Sequence, residues 1–159
     1  MSLKPVPVSQ SKVIMTEMVL PVHTNAIDSV FGGVIMSWID IAAAISSQRH
    51  CGMQVVTASI DALNFVQPVY KGWIVNLRAS VNFVANTSME VGVRVDAENP
   101  IQKKVFHTAS AYLTFVAIGP DGKPVKVPPV VPETEDEIRR NQAAAIRRQH
   151  RLQLRKMNL

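Results

Sequence analysis

One acidic residue, Asp40, lies inside the most apolar stretch of the chain. Residues 34–45 are V-I-M-S-W-I-D-I-A-A-A-I, in which only Ser37 and Asp40 are polar. A segment that is apolar on every face is typical of a buried helix. A carboxylate in such a helix is costly unless it is ion-paired, hydrogen-bonded or lines a cavity. The sequence leaves two interpretations of Asp40 open: a salt-bridged structural residue, or an acid that takes part in chemistry.

Two features near Asp40 would suit a reaction. Gly32 and Gly33 open the apolar stretch, and the first N–H groups of a helix have no partner within it. Such donors stabilise the negative charge that a carbonyl oxygen gains in acyl transfer, and a carboxylate can activate water or attack directly. The amide of Asn25, in the loop before the helix, can orient that water or the acyl group. Asparagine is also a common loop and cap residue.

Other catalytic arrangements are missing from the sequence. It contains no G-x-S-x-G motif and no P-loop or dinucleotide fingerprint, and its four histidines lack the spacing of metal ligands. The single cysteine, Cys51, follows the predicted end of the helix, where the helix dipole raises the pKa of a thiol. We therefore expect an inert thiol and no metal site.

The composition is that of an ordinary folded domain. The chain has 159 residues, of which 47% are hydrophobic and 18% charged, which is enough for one domain with a substantial core. No apolar run is long enough to span a membrane, and the N-terminus lacks an apolar signal core. We therefore expect a cytoplasmic protein without a membrane partner.

The chain is basic, with a net charge of +5 and a pI of about 9.7. The excess positive charge is concentrated near the C-terminus, in R-R-N-Q-A-A-A-I-R-R-Q-H-R-L-Q-L-R-K. This charge would suit nucleic acid or a polyphosphorylated small molecule. A solvated helix with cations at its negative end would have the same composition.

The predicted elements are a strand, one long helix and then four strands. The alternation of apolar and polar residues is clearest in residues 73–96, where two strands joined by A-N-T-S form an antiparallel hairpin. The strand that begins at Gln54 is partly apolar on both faces, which predicts that both faces are covered. The predicted strands span residues 13–20, 54–66, 73–84, 89–96 and 104–118.

The two ends of the chain lie outside these elements. Residues 1–12 are predicted to be a flexible leader, and residues 13–132 a single domain that includes a proline-rich strap, K-P-V-K-V-P-P-V-V-P. Thr134 and Glu137 have the spacing of a capping box, which predicts a helix over residues 135–155 within a basic C-terminal segment, 133–159. Because that helix has few apolar residues, we expect it to be loosely docked or frayed.

These elements predict an α+β fold in which a strongly bent, five-stranded antiparallel sheet wraps around one long buried helix, followed by a C-terminal helix. One small sheet covers such a helix on most sides but not on all of them. Complete burial would need a second copy of the chain, so we expect a dimer. A two-fold dimer could supply Asn25 and Asp40, which are separated along one chain, from different chains.

The sequence resembles the hot-dog-fold acyl-CoA thioesterases in four segments that together cover roughly residues 12–137. The nearest branch is that of the cytosolic acyl-CoA hydrolases that include the bacterial YciA type. The segments are H-T-N-A-I-D-S-V-F-G-G-V-I-M-S-W-I-D, V-V-T-A-S-I-D-A-L-N-F-V-Q-P-V, N-T-S-M-E-V-G-V-R-V and S-A-Y-L-T-F-V-A-I-G-P-D-G-K-P. As a set, these motifs are fairly specific to the family.

The resemblance implies the hydrolysis of acyl-CoA to a free carboxylic acid and CoA. It implies that Asp40 is the general base or nucleophile, and that Asn25 from the opposite subunit orients water or the acyl group. Backbone N–H groups at the helix N-terminus near Gly33 would polarise the carbonyl, and Gly32 would contact the substrate. CoA would be bound only as part of substrate or product, so we expect neither a resident cofactor nor a metal.

The resemblance also suggests where the rest of the substrate binds and how the subunits assemble. Thr87 and Ser88 would touch the nucleotide portion of CoA. Thr57 could line the acyl channel, or be a strand residue with a satisfied hydroxyl. The family forms dimers, often as a trimer of dimers. Asp28 departs from the family, which commonly has a glycine at this position.

Two other functions stay open at this stage. A dehydratase of the same fold would need an Asp/His pair that the sequence does not reveal. A non-catalytic acyl-CoA sensor would use the basic C-terminal segment to bind nucleic acid. That segment has few aromatic residues and no recognisable reading helix, which makes nucleic acid the less favoured partner.

Overall fold

A long helix, α1 (Gly32–Cys51), is the element around which the sheet is wrapped. The computed structural model describes residues 2–158, and Met1 and Leu159, at the ends of the predicted leader and basic segment, lie outside that range. α1 ends at Gly52, whose φ of 67° is left-handed and whose N–H donates to the Gln48 carbonyl. Glycine adopts this conformation without strain, which fixes the end of the helix.

The strands form two sheets of very different size. Five strands form one antiparallel sheet with the spatial order β2-β4-β5-β6-β3, and two short strands pair in parallel. In chain order the elements are β1 (Val6–Pro7), β2 (Val13–Met18), α1, β3 (Gln54–Ile60), β4 (Ile74–Val84), β5 (Ser88–Asn99), β6 (Lys104–Ile118), β7 (Val130–Val131) and α2 (Glu135–Met157). The predicted α+β fold, with its five-stranded sheet, long helix and C-terminal helix, is confirmed.

The core lies between α1 and the inner face of the sheet, which we define as the face that contacts α1. Side chains alternate between the two faces of a strand, so every second residue of β4, β5 and β6 is in the core. Ala42 and Ala43 are fully buried, and their small side chains let the strands pack close to the helix. Other fully buried core residues are Ile39, Val75, Leu77, Val81, Val91, Val95, Leu113 and Ala117.

The strand β3 differs from its prediction in length and in burial. It ends at Ile60 rather than at residue 66, and a register shift interrupts its pairing with β6 between Thr57 and Ser59. Six of its seven residues are exposed, so the prediction that both faces are covered is wrong for the single chain. The reason is its position: β3 is an edge strand that pairs only with β6. Val55 packs against the core, whereas Val56 stays half exposed.

The predicted flexible leader and proline-rich strap pack against each other. β1, in the leader, pairs in parallel with β7, in the strap, and the 3-10 turn Val8–Ser11 follows β1. The Ser11 hydroxyl is fully buried; it donates to the Val8 carbonyl over 2.7 Å and accepts from the Val81 N–H over 2.9 Å. The described part of the leader is therefore hydrogen-bonded to the strap, since the Val6 N–H donates to the Pro129 carbonyl over 2.9 Å.

The C-terminal helix α2 is docked more firmly than its few apolar residues predicted. The predicted capping box is present, with the Thr134 side chain accepting from the Glu137 N–H and the Glu137 side chain from the Thr134 N–H. On the outer face of the sheet, Arg147 and Arg151 contact the carboxylate of Glu90 at 2.7 and 3.0 Å. The expectation of loose docking is wrong because charged pairs hold the helix. No helix of residues 2–158 is both long and apolar enough to cross a membrane.

Candidate active site

One side of α1 is left uncovered by the sheet, and Asp40 lies on it. Gly33, Ser37 and Asp40 follow the three- and four-residue spacing that places helix residues on one face. Two large apolar side chains of this region, Met36 and Ile41, are 39% and 50% exposed. Apolar side chains on a long core helix are normally covered. The exposed side of α1 therefore combines a carboxylate with an apolar surface that has no cover within the described chain.

Asp40 is hydrogen-bonded to β3. The Thr57 hydroxyl donates to Asp40 Oδ1 over 2.8 Å, which joins the helix to the exposed edge strand. Asp40 is half-buried and takes part in none of the ion pairs among residues 2–158. Asp40 is thus not a salt-bridged residue within the part of the chain that the structure describes. Because Thr57 binds only Oδ1, the second carboxylate oxygen is left for another donor.

The N-terminus of α1 is open. The residue before the helix, Phe31, provides no side-chain cap, and the first turn contains no acidic residue. A Cβ atom added to Gly33 would meet nothing within 4 Å, whereas one added to Gly32 would approach the Phe65 ring at 3.1 Å. Gly33 lies two helical turns before Asp40, or roughly 10 Å along the axis. The N–H groups of this turn and the carboxylate of Asp40 therefore border the same uncovered strip.

Asn25 is held within its own loop. Its Oδ1 accepts from the backbone N–H groups of Ile27 and Ser29, and its Nδ2 donates to the Ser29 hydroxyl over 2.9 Å. Asp28, in the same loop, has a φ of 60°, a left-handed conformation that glycine adopts at lower cost. No hydrogen bond joins Asn25 to Asp40 within the described chain. The contacts within the loop thus fix the orientation of Asn25.

Thr87 and Ser88 line a groove on the other side of the sheet, between the β4–β5 turn and α2. The groove has a volume of about 530 Å³. Residues 58 and 59 of β3, next to Thr57, form part of its wall. Arginines of α2 also line it: Arg148, Arg151 and Arg155. Sequence reasoning noted these arginines only as a group; their helical spacing indicates a shared face, but only the docking of α2 shows which side chains that face meets.

A row of three polar side chains on β5 and β6 was not anticipated from the sequence. His107 Nε2 lies 3.2 Å from the Ser110 hydroxyl, and His107 Nδ1 lies 3.3 Å from Asp96 Oδ1. The Arg94 Nε also binds both oxygens of Asp96, at 3.1 Å each. His107 and Ser110 are exposed and Asp96 is half-buried, and the row lies on the outer face of the sheet. Since a guanidinium engages the carboxylate that would orient the imidazole, we interpret the row as a surface polar network.

Burial shifts the pKa values of two titratable groups at the end of α1. Burial raises the pKa of the Cys51 thiol, as expected for a structural cysteine. Burial also lowers the pKa of His50, whose Nε2 lies 2.8 Å from the Pro128 carbonyl oxygen. Residues 2–158 contain no group of three or more His, Cys, Asp and Glu side chains arranged to hold a metal ion.

A family model and two sequence relatives that match this chain are named as thioesterases or thioester hydrolases. The model of the thioesterase superfamily matches residues 28–104. A Bacillus subtilis protein named uncharacterized acyl-CoA thioester hydrolase YkhA is 44% identical over 142 residues, which cover 89% of this chain and 83% of that protein. The cytosolic acyl coenzyme A thioester hydrolase of Rattus norvegicus is 40% identical over 139 residues, covering 86% of this chain. The chain spans only 36% of that longer relative.

Solved structures agree with these sequence relatives. An acyl-CoA hydrolase from Staphylococcus aureus, solved with butyryl-CoA and CoA, is 37% identical with a TM-score of 0.90, covering 96% of this chain and 93% of that one. An apo-hexameric acyl-CoA thioesterase is 38% identical with a TM-score of 0.91, covering 95% and 97%. The S. aureus enzyme was also solved as variants in which an aspartate, an asparagine or a threonine is replaced by alanine.

The family model, the close relatives and the wrapped sheet all agree with the resemblance found in the four sequence segments. The chain belongs to the thioesterase superfamily, in its branch of acyl-CoA thioester hydrolases.

Proposed function

We propose that this protein hydrolyses acyl-CoA thioesters to a free carboxylic acid and CoA, with Asp40 at the centre of the site. The observation that supports this most strongly is the uncovered strip of α1. There a carboxylate without an ion-pair partner lies on the same helix face as an open helix N-terminus. Acyl transfer needs both groups: one to activate the nucleophile and one to stabilise the oxyanion.

The proposed reaction uses groups of this chain. The thioester carbonyl oxygen lies at the N–H groups near Gly33, which stabilise the negative charge as the tetrahedral intermediate forms. Asp40 acts as general base on water through its free oxygen, or attacks the carbonyl itself. In the general-base route, the water oxygen bonds to the carbonyl carbon and Asp40 takes the proton. The carbon–sulfur bond then breaks, and the CoA thiolate takes up a proton as it leaves.

Thr57 is assigned a positioning role in this reaction. Its hydroxyl donates to Asp40 Oδ1, which fixes the orientation of the carboxylate. Gly32 lies at the substrate end of the helix, where the Phe65 ring already limits the space for a larger residue. These contacts are local to α1, β3 and the segment that follows β3. The pocket for the acyl group would lie between them.

A second copy of the chain would complete the site. The edge strand β3 is exposed, and the neighbouring Met36, Ile41 and Val56 are 39%, 50% and 51% exposed. Covering this surface with an identical chain would bury apolar area and bring Asn25 of the partner subunit towards Asp40. We propose a dimer of this kind. We further propose that dimers assemble as a trimer of dimers, because a neighbour of 38% identity is hexameric.

The variants of the S. aureus enzyme support these assignments. Its three replaced residues, of types Asn, Asp and Thr, have the same spacing along their chain as Asn25, Asp40 and Thr57 have along this one. The reaction as written needs no resident metal or organic cofactor, so treatment with a chelator should leave turnover unchanged. A cytoplasmic location is proposed because the rat relative is named cytosolic.

The alternative of a nucleic-acid-binding acyl-CoA sensor has less support. Arg147 and Arg151 of the basic helix bind Glu90 and Asp61 of the same chain, which leaves fewer arginines for a polyanion. A dehydratase is also less favoured, since the Asp96–His107 pair lies on the outer face of the sheet.

Release of CoA from a panel of acyl-CoAs of increasing chain length tests the proposal. We expect steady-state turnover with at least one chain length, and the preferred length would give the depth of the acyl pocket. A folded protein that binds acyl-CoA but releases no CoA from any member of the panel would favour the sensor and contradict the proposal.

A further inference from the structure

We propose that α2 forms the phosphate-binding wall of the CoA site, with Arg148 and Arg155 as the residues that contact the phosphates of the nucleotide. This inference rests on the proposed function and adds to it the part of the chain that recognises CoA rather than the acyl group. It gives the basic C-terminal segment a role in substrate specificity.

The geometry of the groove at Thr87 and Ser88 supports this role. Thr87 and Ser88 contribute hydroxyl groups from the sheet side, and Arg148, Arg151, Leu152 and Arg155 line the side formed by α2. These four helix positions follow the i, i+3, i+4, i+7 pattern, so they share one face of α2. Hydroxyls opposite guanidinium groups form the donor set that phosphate oxygens prefer.

The charges in this region leave two arginines free. Glu90 is 2% exposed, and Arg147 and Arg151 bind its carboxylate. Arg151 also binds Asp61 at 2.8 Å. Arg148 and Arg155 take part in none of the ion pairs among residues 2–158. The groove therefore has a buried carboxylate that is already neutralised and two guanidinium groups that are available to an anion.

The groove adjoins the strand that contacts Asp40. Ala58 and Ser59 line it, and the adjacent residue, Thr57, is hydrogen-bonded to Asp40. The strand β3 thus separates the phosphate groove from the proposed reaction centre. CoA has its phosphates at one end of a long pantetheine arm and its thiol at the other, so a nucleotide in the groove could place the thioester on the far side of this edge strand.

A second basic groove makes a useful contrast. It is lined by Lys12, Arg78, Arg94, Arg139 and Arg140, among others. Its walls include residues of β2, β4, β5 and β6 but none of β3. More cations line it than the first groove, but it lacks a wall from β3, the strand whose Thr57 contacts Asp40. Location rather than charge alone therefore selects Arg148 and Arg155.

The test replaces the two free arginines together, as Arg148→Gln/Arg155→Gln. The matched control, Arg139→Gln/Arg140→Gln, removes the same charge from the same helix. Each protein is assayed with an acyl-CoA and with the corresponding acyl-pantetheine, which keeps the thioester but lacks the phosphates. We expect the KM for acyl-CoA to rise roughly tenfold or more in the first variant, with kcat unchanged, because lost charged hydrogen bonds weaken binding by about this factor.

The two substrates separate the possible outcomes. With acyl-pantetheine, the Arg148/Arg155 variant should match the wild type, and the control should match it with both substrates. An unchanged KM for acyl-CoA in that variant, or a larger rise in the control, would overturn the inference while leaving the hydrolase function in place. If the wild type hydrolyses neither substrate, the proposed function fails. In that case calorimetry measures the affinity of each protein for CoA alone. Equal affinity of the wild type and the Arg148/Arg155 variant would refute the phosphate site.

Discussion

The uncovered side of α1 and the outer face of the sheet beneath α2 differ in how their carboxylates are paired. On the outer face, the carboxylate of Glu90 is almost fully buried and binds two arginines and the amide of Asn82. On the uncovered side of α1, Asp40 accepts a hydrogen bond from one threonine hydroxyl and pairs with no cation among the described residues. A carboxylate surrounded by partners stabilises a docked helix, whereas one with a free oxygen is available to a substrate.

Breaking the outer cluster should give the largest effect on stability. Glu90→Gln leaves Arg147 and Arg151 without their shared carboxylate, and breaking a buried charged pair costs about 3 to 5 kcal/mol. We expect the free energy of unfolding in urea to fall by this amount. Glu98→Gln, on the same strand and in none of the ion pairs of residues 2–158, is the control and should change it little. Equal stability of the two variants would mean that the cluster does not anchor α2.

Removing the carboxylate of Asp40 should instead abolish activity and leave the free energy of unfolding nearly unchanged. Asp40→Asn keeps the shape of the side chain and its contact with Thr57 but removes the base or nucleophile, so kcat should fall by a factor of about a hundred or more. The urea midpoint should stay close to that of the wild type. Asp121→Asn, in an exposed turn, should keep full activity. Wild-type turnover by a folded Asp40→Asn protein would make Asp40 structural.

The threonine that orients Asp40 should have an intermediate effect. Thr57→Val keeps the size of the side chain and loses the hydrogen bond to Oδ1, so we expect kcat to fall roughly tenfold. Thr57→Ser keeps the hydroxyl and should recover most of the activity. Failure of serine to recover more activity than valine would show that packing at this position, rather than the hydrogen bond, matters.

The smallest effect concerns the buried histidine at the end of α1. Because burial lowers the pKa of His50 in the folded protein, the unfolded chain binds the additional proton more readily. The contribution of neutral His50 to stability is therefore complete above the unfolded pKa of about 6.5 and is lost as the pH falls below it. His50→Gln should make the melting temperature less sensitive to pH below this value. The exposed His150→Gln is the control, and an identical pH dependence in all three proteins would exclude His50 as the cause.

The contrast between the two faces also shows what the sequence could predict. The apolar run at residues 34–45 and the alternation in residues 73–96 follow the periods of helix and strand, so α1 and the hairpin were predicted from local pattern. The limits predicted for the last strand, residues 104–118, agree with β6. Asp40 and Asn25 were selected for their chemistry and their place around α1. Their local hydrogen bonds, to Thr57 and within the Asn25 loop, depend on how the chain folds rather than on spacing alone.

Long-range contacts account for what could not be predicted. Pairing of the two-residue strands β1 and β7 joins segments far apart in the chain, and neither has a periodic pattern. Glu90 occupies a polar position of its strand, and nothing local indicates that Arg147 and Arg151 cover it. Counting apolar residues therefore underestimated the docking of α2. The exposure of β3 likewise follows from its place at the edge of the sheet.

We propose that Asp40 works at a site completed by a second copy of the chain, and mixed subunits test this most directly. The Asn25→Ala and Asp40→Asn chains are co-expressed in equal amounts and purified together, and each is also purified alone. If each site takes Asn25 from one subunit and Asp40 from another, random mixing leaves about a quarter of the sites intact, so about a quarter of wild-type turnover should return. Turnover no higher than that of either variant alone would contradict a shared site.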